Sequence, residues 1–455
     1  MYERYHLPRQ ETPMPGEPFS KSAVIRSDRC MNCGRCIEAC IYKVHERDPR
    51  DPRLMAEPKS HLCKNCLRCV EDCPQRALSV ELAPQYLGLG EGVWTPQRVH
   101  TIWSEAQSGK IPVFGAGYRG RFVGPGYDSM WTDMSEIVRP TRDGIHGREF
   151  ISTSVDLGRR VDHLEFDSSG QLLTNMPRFV ELPIPMLLDV GRLPDLASVS
   201  LDGLMKAART LGTLLIVPTS ARPSNGSANG RSCLVPVLPA HKTYSPVPFH
   251  DPKMVEVEMS PDWRSDLSKA RERFPGAIVG VRMEAGSGIE KTVVELAASE
   301  ADLVHLLYDE QGTEHGANGR HAKDSLLSIN KALVSESLRE SIGLLAGGGL
   351  AAAEHVPKSI ICGADAVVLE RAMKVALGCH VSLRCPVCPI QKDENGGDWT
   401  KWRVVNLVGA WRDQLLEVMG AMGIREVRRL RGEIGRAIFF EDAEKDAFAS
   451  IQGGG

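Results

Sequence analysis

Residues 277–308 read AIVGVRMEAGSGIEKTVVELAASEADLVHLLY, and their pattern decides the fold. AIVGVRM (277–283) and LVHLLYD (303–309) are short apolar runs, the mark of strands buried on both faces. Between them IEKTVVELAAS (289–299) spaces its apolar residues three and four apart, as a helix with one buried stripe requires. Strand, helix and strand in this order form one βαβ unit.

The same alternation extends in both directions. Further strands are expected at IPMLLDV (184–190), TLLIVP (213–218), CLVPVL (233–238), MVEVEM (254–259), IGLLAG (342–347) and AVVLE (366–370). Helices are expected at LSKARERF (267–274), DSLLSINKALVSESLRE (324–340) and LAAAEHVPKSII (350–361). Eight such units in roughly 200 residues predict an α/β fold of the (β/α)8 barrel type. A doubly wound open sheet is the alternative, but it would carry G-x-G-x-x-G after its first strand, and the expected first strand (184–190) runs into GRLPDLASVS instead.

The chain has 455 residues, enough for about three domains. Its 55 basic and 58 acidic residues leave a net charge of −3, which excludes nucleic-acid binding driven by bulk basicity. A hydrophobic content of 42% with 25% charged residues excludes disorder over most of the length. No apolar run is long enough to span a membrane, and MYERYHLPRQ lacks the apolar core of a signal peptide, so a cytoplasmic location is expected.

Eight of the thirteen cysteines lie between residues 30 and 73. Cys30, Cys33, Cys36 and Cys40 read C-x2-C-x2-C-x3-C, and Cys63, Cys66, Cys69 and Cys73 repeat it, with Pro74 after the last and Ile41 after Cys40. In this arrangement three closely spaced thiolates hold one iron–sulfur cube and the fourth reaches the other. One 4Fe–4S cluster is therefore expected on Cys30, Cys33, Cys36 and Cys73, and the second on Cys63, Cys66, Cys69 and Cys40. Disulfides do not suit an unexported chain, and zinc sites use pairs rather than triplets of C-x2-C. The segment is similar to two-cluster bacterial ferredoxins over about 60 residues.

Cys379, Cys385 and Cys388 form C-x5-C-x2-C, which suits a third cluster of 3Fe–4S or 4Fe–4S type, with zinc as the alternative. Cys233 and Cys362 stand alone in apolar surroundings and read as core thiols. The expected organisation is an extended arm over 1–25, a ferredoxin-like domain over 26–85, a wrapping segment over 86–175, the barrel over 176–378, and a third cysteine motif with a helical C-terminal segment over 379–455.

Loops after the seventh and eighth strands of such barrels bind phosphate. Gly347, Gly348 and Gly349 close the seventh strand, and Arg371 follows the eighth, so these four are the expected phosphate contacts.

From about residue 100 onward the chain resembles the flavin-binding synthase domain of glutamate synthases, in the archaeal-type form that begins with a two-cluster ferredoxin module. The segments that carry the resemblance are RPTRDGIHGREFISTSVDLG, AGSGIEKTVVELAASEADLVHLL, GGGLAAAEHVPKSIICGADAVVLERAMKVALGC and LLEVMGAMGIREVRRLRG. It implies FMN in the barrel, a 3Fe–4S cluster on Cys379, Cys385 and Cys388, and electrons entering through the clusters. It places Arg282 where the family has a lysine, and keeps Gly312 and Thr313 of the loop after strand six. DVGRLPDLASVS lacks the family's serine motif, MVEVEMSPDW lacks its lysine and glycine-rich loop with Glu258 at the lysine position, and YDEQGTEHG adds Asp309 and Glu310. Arg282 is expected to pair with Glu284 or Asp309 at the barrel mouth.

Two functions are therefore expected in the alternative. One is reductive glutamate synthesis from 2-oxoglutarate and ammonia by an FMN oxidoreductase acting in the CH–NH2 class. Met1-Tyr2 supplies no amidotransferase cysteine, so free ammonia or a separate glutaminase would then be required. The other is a non-glutamate-forming electron-transfer subunit of a larger redox complex that has lost the 2-oxoglutarate site, with or without FMN. Both call for a redox partner, a ferredoxin or an NAD(P)H-oxidising flavoprotein subunit in a hetero-oligomer.

Overall fold

A computed structural model describes residues 5–15, 19–111, 124–132, 151–161, 163–174, 176–221, 232–240, 251–299, 301–382, 390 and 397–443. The chain divides into two compact units: Met1–Thr12 with Thr101–Cys379 and Cys388–Gly455, and Pro13–His100 with His380–Val387.

The larger unit is built on a closed barrel of eight parallel strands. In order they are Met186–Asp189, Leu215–Pro218, Leu234–Leu238, Met254–Glu258, Ile278–Glu284, Leu303–Leu307, Gly343–Gly347 and Ala366–Leu369, hereafter strands 1 to 8. Each expected apolar run supplies one of them. The barrel closes where strand 8 pairs with strand 1, Leu369 opposite Leu188. Strand residues such as Leu187, Leu188, Val255, Val279, Leu344 and Val368 have no exposed surface, which is why these strands read as continuous apolar runs rather than alternating ones.

Helices Pro194–Leu211, Trp263–Arg273, Ile289–Ala297, Ala322–Ser335, His355–Ile361 and Arg371–Ala376 follow strands 1, 4, 5, 6, 7 and 8. Pro194 begins the first of these, where a missing N–H costs nothing, and Gly212 ends it with φ +65°. The His321 ring accepts the Lys323 N–H at 3.0 Å and caps Ala322–Ser335.

A 24-residue helix, Asp398–Ala421, packs along Pro194–Leu211. The contact depends on Gly203. A Cβ there would lie 2.5 Å from the Thr400 Cβ and 2.7 Å from the Gly397 carbonyl oxygen. The same long helix fastens the chain's early residues. Arg403 donates to the carbonyls of Ala376, Thr12 and Trp103, and Asn406 Nδ2 to those of Gln10, Ala106 and Gln107. Trp411 Nε1 donates to Glu105 Oε2 at 2.9 Å, and burial of that carboxyl pushes its pKa up to about 8.

The smaller unit carries an antiparallel pair, Ser22–Arg26 with Leu78–Leu82, and the short helices Arg35–Ala39 and Arg68–Glu71. Its core is small: Val24, Val44, Met55 and Leu78 pack with Cys36 and Cys69. Below about 40–60 residues an apolar core alone is marginal, and metal centres commonly supply the rest.

Two outcomes follow from this packing. Gly203→Ala destabilises the larger unit by about 1–3 kcal/mol in urea unfolding, because the helix pair must separate. Glu105 binds its proton more tightly folded than unfolded, so stability falls as pH rises from about 4.5 to about 8. Glu105→Gln keeps an acceptor for Trp411 and flattens that slope in unfolding curves taken across the window.

Candidate functional site

In the smaller unit the sequence repeat is also a backbone repeat. Cys63, Cys66, Cys69 and Cys73 each follow a cysteine of the first motif by 33 positions (63 less 30). Left-handed residues recur at the same interval: Asn32 with Asn65, Gly34 with Leu67, and Lys43 with Arg76. These paired turns wrap the chain around two cavities. Asn and Gly tolerate φ > 0, whereas Leu67 carries strain that the fold around it must hold.

One cavity, with an empty volume of about 360 Å3 that includes open solvent, is lined by Cys30, Cys33, Cys36 and Cys73. The other, about 310 Å3, is lined by Cys40, Cys63, Cys66 and Cys69. Each takes three thiols from one motif and the fourth from the other. Burial pushes the Cys36 and Cys69 thiols up, Cys69 to about 11, and Arg26 pulls against that rise at Cys36. Backbone N–H groups point at two sulfurs: Asn65 N at Cys63 Sγ (3.4 Å) and Ala77 N at Cys73 Sγ (3.3 Å). Four thiols around a small cavity, with N–H···S donors, have the chemistry to hold an iron–sulfur cube.

Of the late cysteines, Cys379 is half-buried with its N–H on the Lys374 carbonyl. Cys385 and Cys388 lie outside the described residues. Cys233 and Cys362 are buried, and Cys362 Sγ packs 3.7 Å from Met130 Sδ.

In the larger unit the C-terminal ends of the strands gather a buried polar cluster. Arg282 on strand 5 is held by Asp189 of strand 1 (2.7 Å) and Glu256 of strand 4 (3.0 Å), and Glu256 also meets His305 Nδ1 of strand 6 at 2.9 Å. Arg192 forks onto Glu370 (3.0 and 2.5 Å) and donates to the Tyr308 carbonyl. Asp189, Glu256 and His305 have no exposed surface, and Arg282 has 5%. Burial by itself would lower the Arg282 guanidinium, but Asp189 and Glu256 outweigh it and hold the charge firmly. Burial would raise Glu256, but His305 and Arg282 pull it below the usual range. Glu370 is pushed up by burial and by the neighbouring Asp189 carboxylate.

Arg282 therefore pairs with Asp189 and Glu256, not with Glu284 or Asp309. Asp309 turns back into its own loop, accepting from the N–H groups of Gln311 and Thr313 and from the Thr313 hydroxyl. Glu258 is exposed at the rim, and the carboxylate inside the barrel is Glu256.

Gly347 ends strand 7, and the Gly348-Gly349 turn (φ +105° and +66°) lies against the loop of strand 6. A Cβ on Gly348 would fall 2.5 Å from the Tyr308 carbonyl oxygen, and one on Gly349 2.3 Å from the Gly312 backbone. The turn is thus glycine for close packing. It still leaves the Gly349 and Leu350 N–H groups without an acceptor among the described residues. Arg371 stands at the end of strand 8 in an ion pair with Glu310. His305 Nε2 is buried without a hydrogen-bond partner and points toward Gly347. The unclaimed N–H groups can receive a phosphate and the unpartnered imidazole nitrogen a polar ring edge, which is the chemistry a flavin mononucleotide would require of its site.

Sequence reasoning marked Arg282 and the glycine turn but missed Asp189, Arg192 and Glu256. Their signal was a charged residue inside or just after an apolar strand run, where a lone charge must find a partner.

A family model described as "Conserved region in glutamate synthase" matches residues 233–425, and one described as "4Fe-4S dicluster domain" matches residues 29–78. The chain is 25% identical to the "Archaeal-type glutamate synthase [NADPH]" of Dehalococcoides mccartyi over 89% of its own length and 92% of that protein. It is also 25% identical to the "Archaeal glutamate synthase [NADPH]" of Archaeoglobus fulgidus, over 94% and 96%. Identity rises to 32% against the Methanocaldococcus jannaschii protein of the same description, over 41% of this chain and 39% of that one.

Removing Arg282 strands two buried carboxylates. Arg282→Met is expected to cost about 3–5 kcal/mol in chemical unfolding. Adding Glu256→Gln to it returns part of that loss, and strict additivity of the two changes would count against the cluster.

Proposed function

We propose that this member of the archaeal-type glutamate synthase family is an iron–sulfur flavoprotein oxidoreductase that passes electrons between paired 4Fe–4S clusters and FMN at the barrel mouth. The observation that carries this reading is the division of eight thiols into two cavities of four, each completed by the opposite motif. In this reading Cys30, Cys33, Cys36 and Cys73 ligate one cluster and Cys40, Cys63, Cys66 and Cys69 the other. Cys379, Cys385 and Cys388 would hold a third, of 3Fe–4S type.

FMN supplies a carrier that accepts electrons singly and delivers them as hydride. Its phosphate would meet the N–H groups of Gly348, Gly349 and Leu350, with Arg371 beside them. Gly312 and Thr313 shape the adjoining loop, in which Asp309 holds Thr313 in place. His305, fixed through Nδ1 by Glu256, presents Nε2 to the mouth and is placed to hold or give a proton there. Arg282 holds the carboxylates of strands 1 and 4 in position.

A specific observation favours the second reading, an electron-transfer subunit that forms no glutamate. Among the described residues, each arginine at the mouth is paired with a carboxylate: Arg192 with Glu370, Arg282 with Asp189 and Glu256, Arg371 with Glu310. A dianionic keto acid would have to displace one of these pairs and sit beside the carboxylate it freed. In either reading the redox partner is a ferredoxin or an NAD(P)H-oxidising flavoprotein. A separate glutaminase belongs only to the first.

Anaerobic purification followed by iron, sulfide and flavin analysis tests the proposal. About eleven irons per chain are expected, eight from two cubes and three from the third site, together with one FMN. Four or fewer irons overturn it. Supplying the loaded protein with reduced ferredoxin, 2-oxoglutarate and ammonia separates the two readings: glutamate formation supports the first, and electron transfer to a dye without glutamate supports the second.

A further inference from the structure

The 33-residue repeat makes the two thiol cavities near copies, and one half-buried side chain breaks the copy. Arg26 lines the cavity of Cys30, Cys33, Cys36 and Cys73. Its Nη1 donates to the carbonyls of Met55 (3.1 Å) and Ala56 (2.8 Å), which fixes the guanidinium. Its Nε and Nη2 are buried with no hydrogen-bond partner. The residue 33 positions later is Lys59, in the matching context KSHLC against RSDRC. Lys59 does not line the second cavity: it forms an ion pair with Glu46 at 2.6 Å, with 43% of its side chain exposed.

Other cations at the cavities do not restore the balance. Arg35 lines the first and Lys64 the second, but both are exposed, where solvent screens them. Arg26 is half-buried, but its two uncommitted donors are shielded from solvent, which sets it apart. Reducing a cube by one electron adds a negative charge, and a fixed positive charge or N–H donor near its sulfurs favours that state. Backbone N–H···S bonds do not explain a difference, since each cavity receives one.

We propose that Arg26 raises the reduction potential of the cluster on Cys30, Cys33, Cys36 and Cys73 above that of its repeat-related neighbour, so that the first electron to enter the pair comes to rest there. The step is a one-electron transfer from an external low-potential donor, with one ferric iron of that cluster going to ferrous. The inference rests on the two-cluster reading given above.

The test is an anaerobic titration of the full chain with dithionite, followed by cryogenic spin resonance. The signals of the two reduced cubes, read apart from those of the third cluster and the flavin, appear in two separated steps in the wild type, and Cys33→Ser, which alters a ligand of the first cluster, displaces the higher one. Arg26→Gln lowers that step at least tenfold in its reduction equilibrium, about 59 mV for one electron, and leaves the other in place. Arg26→Lys, which keeps the charge, retains most of the gap. The proposal is overturned if Arg26→Gln moves neither step or moves the lower one, or if the Lys and Gln variants shift alike. Iron analysis of each sample keeps the premises apart: a wild type without about eight irons in this module removes the cluster reading itself, whereas full iron with an unmoved potential removes only the role of Arg26.

Discussion

A guanidinium buried inside the barrel sets the terms for everything at its mouth. Arg282 is nearly sealed from water and is held by Asp189 and Glu256, carboxylates contributed by strands 1 and 4. An unpaired charge at that depth would cost far more than a strand pairing returns, so the three residues are obliged to meet. Glu256, occupied by Arg282, also fixes one face of His305 and leaves Nε2 as its free nitrogen. Arg192 and Glu370 repeat the arrangement beside it. The mouth is therefore polar and preorganised, yet among the described residues its arginines are paired with carboxylates, which shapes which anions they can admit.

The thiol module obeys a different constraint. Its apolar core is too small to order nearly 60 residues by itself, and each cavity borrows a cysteine from the other repeat. With clusters held in both cavities, folding and cofactor binding would be coupled by that exchange, because neither thiol set is complete until both halves have come together. The left-handed turns at Asn32, Gly34, Asn65 and Leu67 serve the same end by bending the chain tightly around each set of sulfurs.

The strands were legible because a parallel barrel buries both faces of each one, leaving runs such as IGLLAG with no polar period to confuse the reading. The cysteine spacing was legible because three of the four thiols in each set stand at short, regular spacing in the chain. Partners of Arg282 were not. Glu284 is nearer to it in sequence and Asp309 is about as far away as Glu256, but closure of the barrel brings strand 1 and strand 4 around it, and strand 1 begins nearly a hundred residues earlier. Glu256 and Glu258 illustrate the same limit. Both sit at alternate positions of one strand, and only the rim of the barrel separates a buried carboxylate from an exposed one.

The sequence by itself determined the order of the eight strands, the two cysteine motifs and the family resemblance, since each depends on residue type at short spacing. Tertiary structure alone decided that the glycines at 348 and 349 make room for the loop of Tyr308 and Gly312, that Arg371 meets Glu310, and that Arg26 turns inward while Lys59 turns out. The physical reason is the same in each case. Burial and charge pairing are properties of what surrounds a side chain, and those surroundings come from residues far away in the chain.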